Sequence, residues 1–155
     1  MSQLKRLDGK DSRPRIYLAG PDVFLSDPLS LAQAKKDIQA TMGLEGSFPI
    51  DNEIEPDDAA GDDYNIAMKI AEGNFQMMRE CDSCIAHLTP FRGPSADVGT
   101  ACEVHYMYAL GKPVFAYSND DRHYAQRVTE DYYKGAVEQS FNEHLQQPVL
   151  SGSDD

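Results

Sequence analysis

The chain has 155 residues, enough for one domain that buries a core without disulfide or metal staples. Its apolar content of 41 % and charged content of 26 % are ordinary for a globular protein. The net charge of −12 excludes a nucleic acid polymer as the natural partner, because phosphate binding needs clustered Lys and Arg.

No apolar run approaches membrane-spanning length, and Met1 to Arg15 lacks the apolar core of a signal peptide. No membrane partner is expected. Three cysteines, an odd number, suit a reducing compartment better than a disulfide framework, so the expected location is cytoplasmic.

Residues 1–14 are charged and without periodicity, which reads as a loose leader ahead of one domain over 15–150 and a polar tail over 151–155. Ile16 to Pro21 reads as a short buried strand closed by a Gly-Pro turn. Ser26-Asp27-Pro28 offers a helix start, Leu31, Ala34, Ile38 and Met42 follow at helical spacing as its inner face, and Gly43 is the stop. Phe48-Pro49-Ile50 is a strand fragment leading into Asp51-Asn52-Glu53. The acidic loop from Glu55 to Asp63 is either a mobile lid or a solvated connection.

A helix is predicted from Asp63 or Tyr64 to Glu80, with Ile66, Ile70, Phe75 and Met78 inward and Gly73 as a weak point. Ser83 to Leu88 reads as a strand ended by Thr89-Pro90. The next helix spans Val98 to Leu110, with Asp97 at its N-cap and Gly111 past its end, before a strand over Pro113 to Tyr117. Alternating strands and helices imply an α/β, doubly wound parallel sheet flanked by helices. Ligands of such sheets sit beyond the carboxyl ends of the strands. Gly20-Pro21, Asp51-Asn52-Glu53 and Thr89-Pro90-Phe91-Arg92-Gly93 all fall there.

Cys81-Asp82-Ser83-Cys84 has redox spacing, but it lies where a helix ends and a strand begins, the reverse of the arrangement that activates a thiol. No second pair completes a zinc site, so structural cysteines are expected and no metal. His87, His105, His123 and His144 read as structural or surface residues; His105 is two positions from Glu103 and points elsewhere on the helix. The chain has no GxSxG elbow, GxGxxG or GxxxxGK[ST] pattern.

Glu103 stands in Asp97-Val98-Gly99-Thr100-Ala101-Cys102-Glu103, one turn into a helix that opens at the mouth of the sheet. Six helical residues rise roughly 9 Å, so Asp97 and Glu103 are a poor match for a close glycosidase pair. A division of labour fits better: Glu103 reacts, while Asp97 either caps the helix or holds a substrate hydroxyl. Gly99 and Ala101 leave room for a ligand at the first turn.

Four segments in order, Ile16 to Pro21, Pro49 to Asn52, Asn74 to Asp82 and Asp97 to Val104, resemble nucleoside 2-deoxyribosyltransferases over roughly residues 15–117. The Asp-x-Gly-x-x-x-Glu element is the most specific part. The resemblance implies a flavodoxin-like fold and transfer of 2-deoxyribose between nucleobases without a cofactor. Glu103 would attack C1′, Tyr17 would orient it, and Asp97 would bind the sugar hydroxyl side. Gly20 and Gly99 would lie against the substrate, Phe24 would pack on the base, and Asp51, Glu53 and Asn74 would face the base. Some relatives carry an aspartate where Asn74 stands, which leaves Asp51, Glu53 or a water as the proton donor; Asn74 also points to purines. Arg92 is the one conspicuous basic residue near the crevice, which favours an unphosphorylated nucleoside.

The resemblance further implies a homo-oligomer, a dimer or a multiple of dimers, with the sugar pocket completed by a neighbouring subunit. Phe141-Asn142-Glu143-His144-Leu145 is similar to the element that does this, which makes Asn142 either the ligand of the 5′-hydroxyl or a surface helix residue. The chain ends earlier than the family pattern, so a missing tail is expected. Two other functions remain open: an N-glycosidase of deoxynucleosides or deoxynucleotides on the same fold, and a non-catalytic nucleotide-binding module.

Overall fold

The structure, a computed structural model, describes residues 13–52, 63–132, 139–142 and 147–150, the last two stretches as backbone alone. Most of the expected leader, Glu53, the acidic loop over 55–62, His144 and the tail over 151–155 lie outside the described residues.

Four strands form one parallel sheet: β1 (Arg15–Ala19), β2 (Glu45–Ser47), β3 (Ser83–His87) and β4 (Val114–Tyr117), in the order β2-β1-β3-β4. Tyr17 pairs with Ser47 on one side and Cys84 on the other, which places it in the middle of the sheet. Helix α1 (Pro28–Thr41) covers one face, and α2 (Asp63–Glu80) and α3 (Val98–Ala109) cover the other. Period-two alternation divides the strands accordingly. Tyr17, Ala19, Cys84 and Ala86 pack with Met78, Cys81 and Met107 on the α2–α3 side, while Leu18 packs with Ala32 and Phe48 on the other. The doubly wound parallel α/β fold expected from the sequence is the fold observed.

Three local expectations are corrected. The strand on the edge is Glu45–Ser47, whereas Pro49–Asp51 is a turn of 3₁₀-helix. Glu-Gly-Ser has no strand propensity, and only pairing with β1 extends it. The inward face of α1 is also displaced by one residue: Ala32 and Gln39 are buried, while Ile38 and Met42 are 57 % and 66 % exposed. The cause is polar, because Lys35 turns in to meet the buried carboxylate of Asp22. One residue is about 100° of helix, enough to swing Ile38 outward. In α2, Met78 is buried as expected, but Ile70 and Phe75 are only partly covered, and Phe75 rests on the ring of Tyr106 at 4.7 Å.

Beyond β4, a short α4 (Tyr124–Arg127) runs into a π-helical turn, Val128–Tyr132. The segments Gln139–Asn142 (β5) and Gln147–Leu150 (β6) pair antiparallel. Neither had a sequence signal that periodicity detects. No helix among the described residues is long and apolar enough to cross a membrane.

Candidate active site

The loops at the carboxyl ends of β1 and β2, one face of α2 and the first turns of α3 enclose a cleft of about 580 Å³. That volume is typical of small-molecule sites. Gly20, Phe24, Asn74, Asp97, Gly99 and Glu103 all line it, six residues expected from the sequence to meet in one place.

Glu103 shares one stripe of α3 with Thr100 and Met107, which are fully buried, so the helix must turn its carboxylate toward the sheet. There the Tyr17 hydroxyl donates to Glu103 Oε1 at 2.6 Å. Tyr17 is itself completely buried, and burial first, then the charge of Glu103, holds its phenol well above the ordinary range. It therefore stays a donor. Glu103 is pushed up to about 7, chiefly by burial; the Tyr17 hydrogen bond opposes the shift and the charge of Asp97 adds to it. A carboxyl poised near neutrality in a cleft is a recognised mark of a reactive site.

Asp97 is the N-cap and also borders the cleft. Its Oδ2 caps α3, accepting from Thr100 N at 2.8 Å and Thr100 Oγ1 at 3.0 Å, and the residue also lines the cleft. A methyl group at Gly99 would stand 3.1 Å from that same Oδ2.

The loop after β1 is held by a polar network that the sequence did not announce. Asp22, 1 % exposed, takes an ion pair from Lys35 and faces His87 Nδ1 at 3.0 Å. His87 Nε2 lies 2.7 Å from Thr89 Oγ1, which accepts from Asn119 N at 2.9 Å. A neutral His87 with its proton on Nδ1 satisfies all of these at once: Nδ1–H donates to Asp22 and the Thr89 hydroxyl donates to Nε2. A Cβ at Gly20 would fall 2.9 Å from His87 Cβ, so only glycine lets the loop pass. His87 thus ties the loop carrying Phe24 to the loop that starts at Thr89.

Those loops meet at the rim. Phe24 stacks on Phe91 with centroids 5.5 Å apart, and the Arg92 guanidinium lies over both rings, 5.1 and 4.8 Å from their centroids. Arg92 has φ 55, a left-handed conformation costly for a non-glycine residue. Its charge is directed onto the aromatic pair.

Two other expected residues stand elsewhere. Asp51 does not line the cleft: Oδ2 accepts from Phe48 N at 2.8 Å and holds the 3₁₀ turn, and Oδ1 pairs with Lys36 of α1 at 2.5 Å. The backbone of Asn142 is in β5, a strand rather than a surface helix, and its side chain lies outside the described residues.

Asn52 lines the cleft as its place in Asp51-Asn52-Glu53 implied, whereas sequence reasoning missed Ala67, Ile70 and Thr100 as lining residues. Ala67, Ile70 and Asn74 are three and four apart, a helical stripe that Asn74 alone was enough to indicate. The cysteines are as expected: Cys81 and Cys84 are buried, with Cys84 pushed up to about 12 by burial. His105 turns away from Glu103, its Nδ1–H donating to Ala101 O at 2.7 Å.

Residues 16–147 match the family model of the nucleoside 2-deoxyribosyltransferases. A 2-desoxiribosyltransferase from Leishmania mexicana is 31 % identical, with a TM-score of 0.57 over 88 % of this chain and 78 % of that one. A 2-deoxyribosyltransferase from Bacillus psychrosaccharolyticus, 23 % identical, shares the fold with a TM-score of 0.55 over 70 % of this chain and 75 % of its own. An uncharacterized protein of Schizosaccharomyces pombe is 37 % identical over 116 residues, 74 % of this chain; the chain spans only 54 % of that relative's length.

Proposed function

The chain belongs to the nucleoside 2-deoxyribosyltransferase family, and from that premise we propose that it moves 2-deoxyribose from a 2′-deoxynucleoside to another nucleobase through an ester on Glu103. The observation that supports this most directly is Glu103 in the lining of a nucleoside-sized cleft, held from behind by a 2.6 Å hydrogen bond from the buried Tyr17.

In the first half-reaction the ionised Oε2 of Glu103 attacks C1′ while the C1′–N bond breaks. The electron pair leaves with the base, which takes up a proton. In the second, a ring nitrogen of the incoming base attacks C1′, loses its proton, and returns the electron pair to the carboxylate. Two inversions give net retention. The chemistry needs neither metal nor cofactor, because the carboxylate itself captures the oxocarbenium-like centre. Tyr17 fixes Oε1 so that Oε2 is presented, and the Asp97 oxygen not used for capping binds the sugar hydroxyl.

Gly20 and Gly99 give the sugar close access, Phe24 covers the base, and Asn74 contacts it. Glu53 or a water protonates the leaving base, since both oxygens of Asp51 are committed. A 2′-hydroxyl would crowd Glu103, so deoxyribonucleosides are preferred and purines are the favoured bases. The unit that acts is residues 15–150, as a homo-oligomer in which Asn142 of a neighbouring copy reaches the 5′-hydroxyl. A role in nucleoside salvage in the cytoplasm accords with three free thiols.

The test is mass spectrometry of the protein quenched with deoxyinosine. A deoxyribosyl adduct on Glu103 is expected, together with deoxyadenosine only when adenine is added. Free deoxyribose released at the same rate with or without adenine would identify an N-glycosidase instead. Binding without turnover, unaffected by Glu103→Gln, would identify a binding module.

A further inference from the structure

Asn52 closes the Pro49–Asp51 turn and lines the cleft beside Asn74. Its Nδ2 donates to the main-chain oxygen of Ile70 at 3.0 Å and to Asn74 Oδ1 at 3.4 Å. The first contact decides the second. A main-chain carbonyl can only accept, so the atom of Asn52 facing Ile70 must be its amide nitrogen. That nitrogen can in turn face only an acceptor, which turns the carbonyl of Asn74 toward Asn52 and leaves its NH₂ for the cleft.

Gly73 is what permits the contact. A Cβ there would sit 2.1 Å from Asn52 Oδ1 and 2.2 Å from Nδ2, so any side chain at 73 would expel Asn52 from the face of α2. The glycine that weakens α2 as a sequence pattern is therefore the seat of Asn52 in the folded chain.

We propose that Asn52 is a positioning residue that locks Asn74 as a hydrogen-bond donor, so that the base is recognised through a ring-nitrogen acceptor and not through an amino group. This rests on the transfer reaction proposed above and adds to it how the base is selected. Electron density collects on the acceptors of the base as the C1′–N bond breaks. A donor already aimed at them stabilises the departing base without itself giving up a proton. The locked amide thus does electrostatically part of what an acid at this position would do by proton transfer.

The experiment is calorimetric titration of the full chain with hypoxanthine and with its 7-deaza and 3-deaza analogues, each lacking one ring acceptor. The unsubstituted chain should bind hypoxanthine about tenfold more tightly than one of the two analogues, the size of one lost hydrogen bond. Asn52→Asp keeps the shape but can only accept, so it should turn the Asn74 amide over. Affinity for hypoxanthine should then fall about tenfold, while the affinity for the analogue that had lost the contact stays put. Asn52→Ala, checked for fold by circular dichroism, should likewise erase the discrimination and serves if the aspartate variant does not fold.

Discrimination retained in both variants would overturn the proposal, as would an equal loss for all three bases, which marks a scaffold role. Absence of base binding by the unsubstituted chain would remove both this proposal and the functional reading. Intact discrimination in the unsubstituted chain without an adduct on Glu103 would remove the transfer reaction alone.

Discussion

The hydroxyl of Tyr17, from the centre of the sheet, donates to the carboxylate of Glu103, from the first turns of α3, across 86 positions of sequence at 2.6 Å. The ring belongs to the core and the hydroxyl meets a carboxylate that lines the cleft, so one side chain both packs the sheet and holds Glu103 in place. Tyr17→Phe should separate these duties. The ring still fills its place, and the fold should survive. Glu103 loses the hydrogen bond that holds its pKa down. The pH at which activity appears should therefore move upward and kcat should fall about tenfold, the scale of a hydrogen bond to a charged group. A pH profile unchanged from the parent would show that Tyr17 only packs.

Glu103 must be ionised to attack, and its pKa is pushed up to about 7. Transfer measured as kcat/KM should accordingly rise with pH through about 7 and level off above it. A rate already flat from about pH 5 upward would mean that the free enzyme holds this carboxylate as an ordinary one.

The same shift carries a stability cost of the opposite sense. Between the ordinary carboxyl value and about 7, the folded chain keeps a proton on Glu103 that the unfolded chain has released. Stability from this group is complete below that window and is lost as pH rises through it. The full shift corresponds to roughly 3 kcal/mol, and solvent at the cleft mouth reduces it to about 2 kcal/mol. Glu103→Gln should thus melt higher than the parent at about pH 8 and equally at about pH 4, while transferring no sugar. A lower melting temperature at about pH 8 would contradict the burial assigned to this side chain.

Asp97 offers a clean separation of cap from chemistry. Asp97→Ser retains an N-cap oxygen for Thr100 and should cost only a few tenths of a kcal/mol, whereas Asp97→Ala should cost about 1 kcal/mol. Both remove the carboxylate from the cleft, so both should lose transfer to a similar extent. Full activity in the serine variant would confine Asp97 to capping.

Asp22 is buried against Lys35 and His87, and removing it leaves the Lys35 ammonium without its carboxylate. Asp22→Ala should destabilise the chain by about 3 kcal/mol, in keeping with a broken buried pair. It should also loosen Phe24, which a rise in KM for the nucleoside would register. Thermal unfolding within about 0.5 kcal/mol of the parent would show that the network is incidental.

The alternation of strands and helices and the cap at Asp97 were legible in the chain, because they depend on periodicity and spacing along one or two turns; Glu103 was singled out by the resemblance of its Asp-x-Gly-x-x-x-Glu element. Topology alone brought Gly20 to the cleft, since strand ends of a parallel sheet converge, while Phe24 and Asn74 were placed there by the family resemblance. Only the tertiary structure decided the rest. Lys35 faces inward because a buried carboxylate 13 positions away outweighs the apolar claim of Ile38. Glu-Gly-Ser extends because β1 lies beside it. Asn52 reaches Asn74 because Gly73, 21 positions on, leaves the face of α2 bare. Each outcome turns on a polar group finding its partner across the fold, and pairings of that kind leave no period in the sequence.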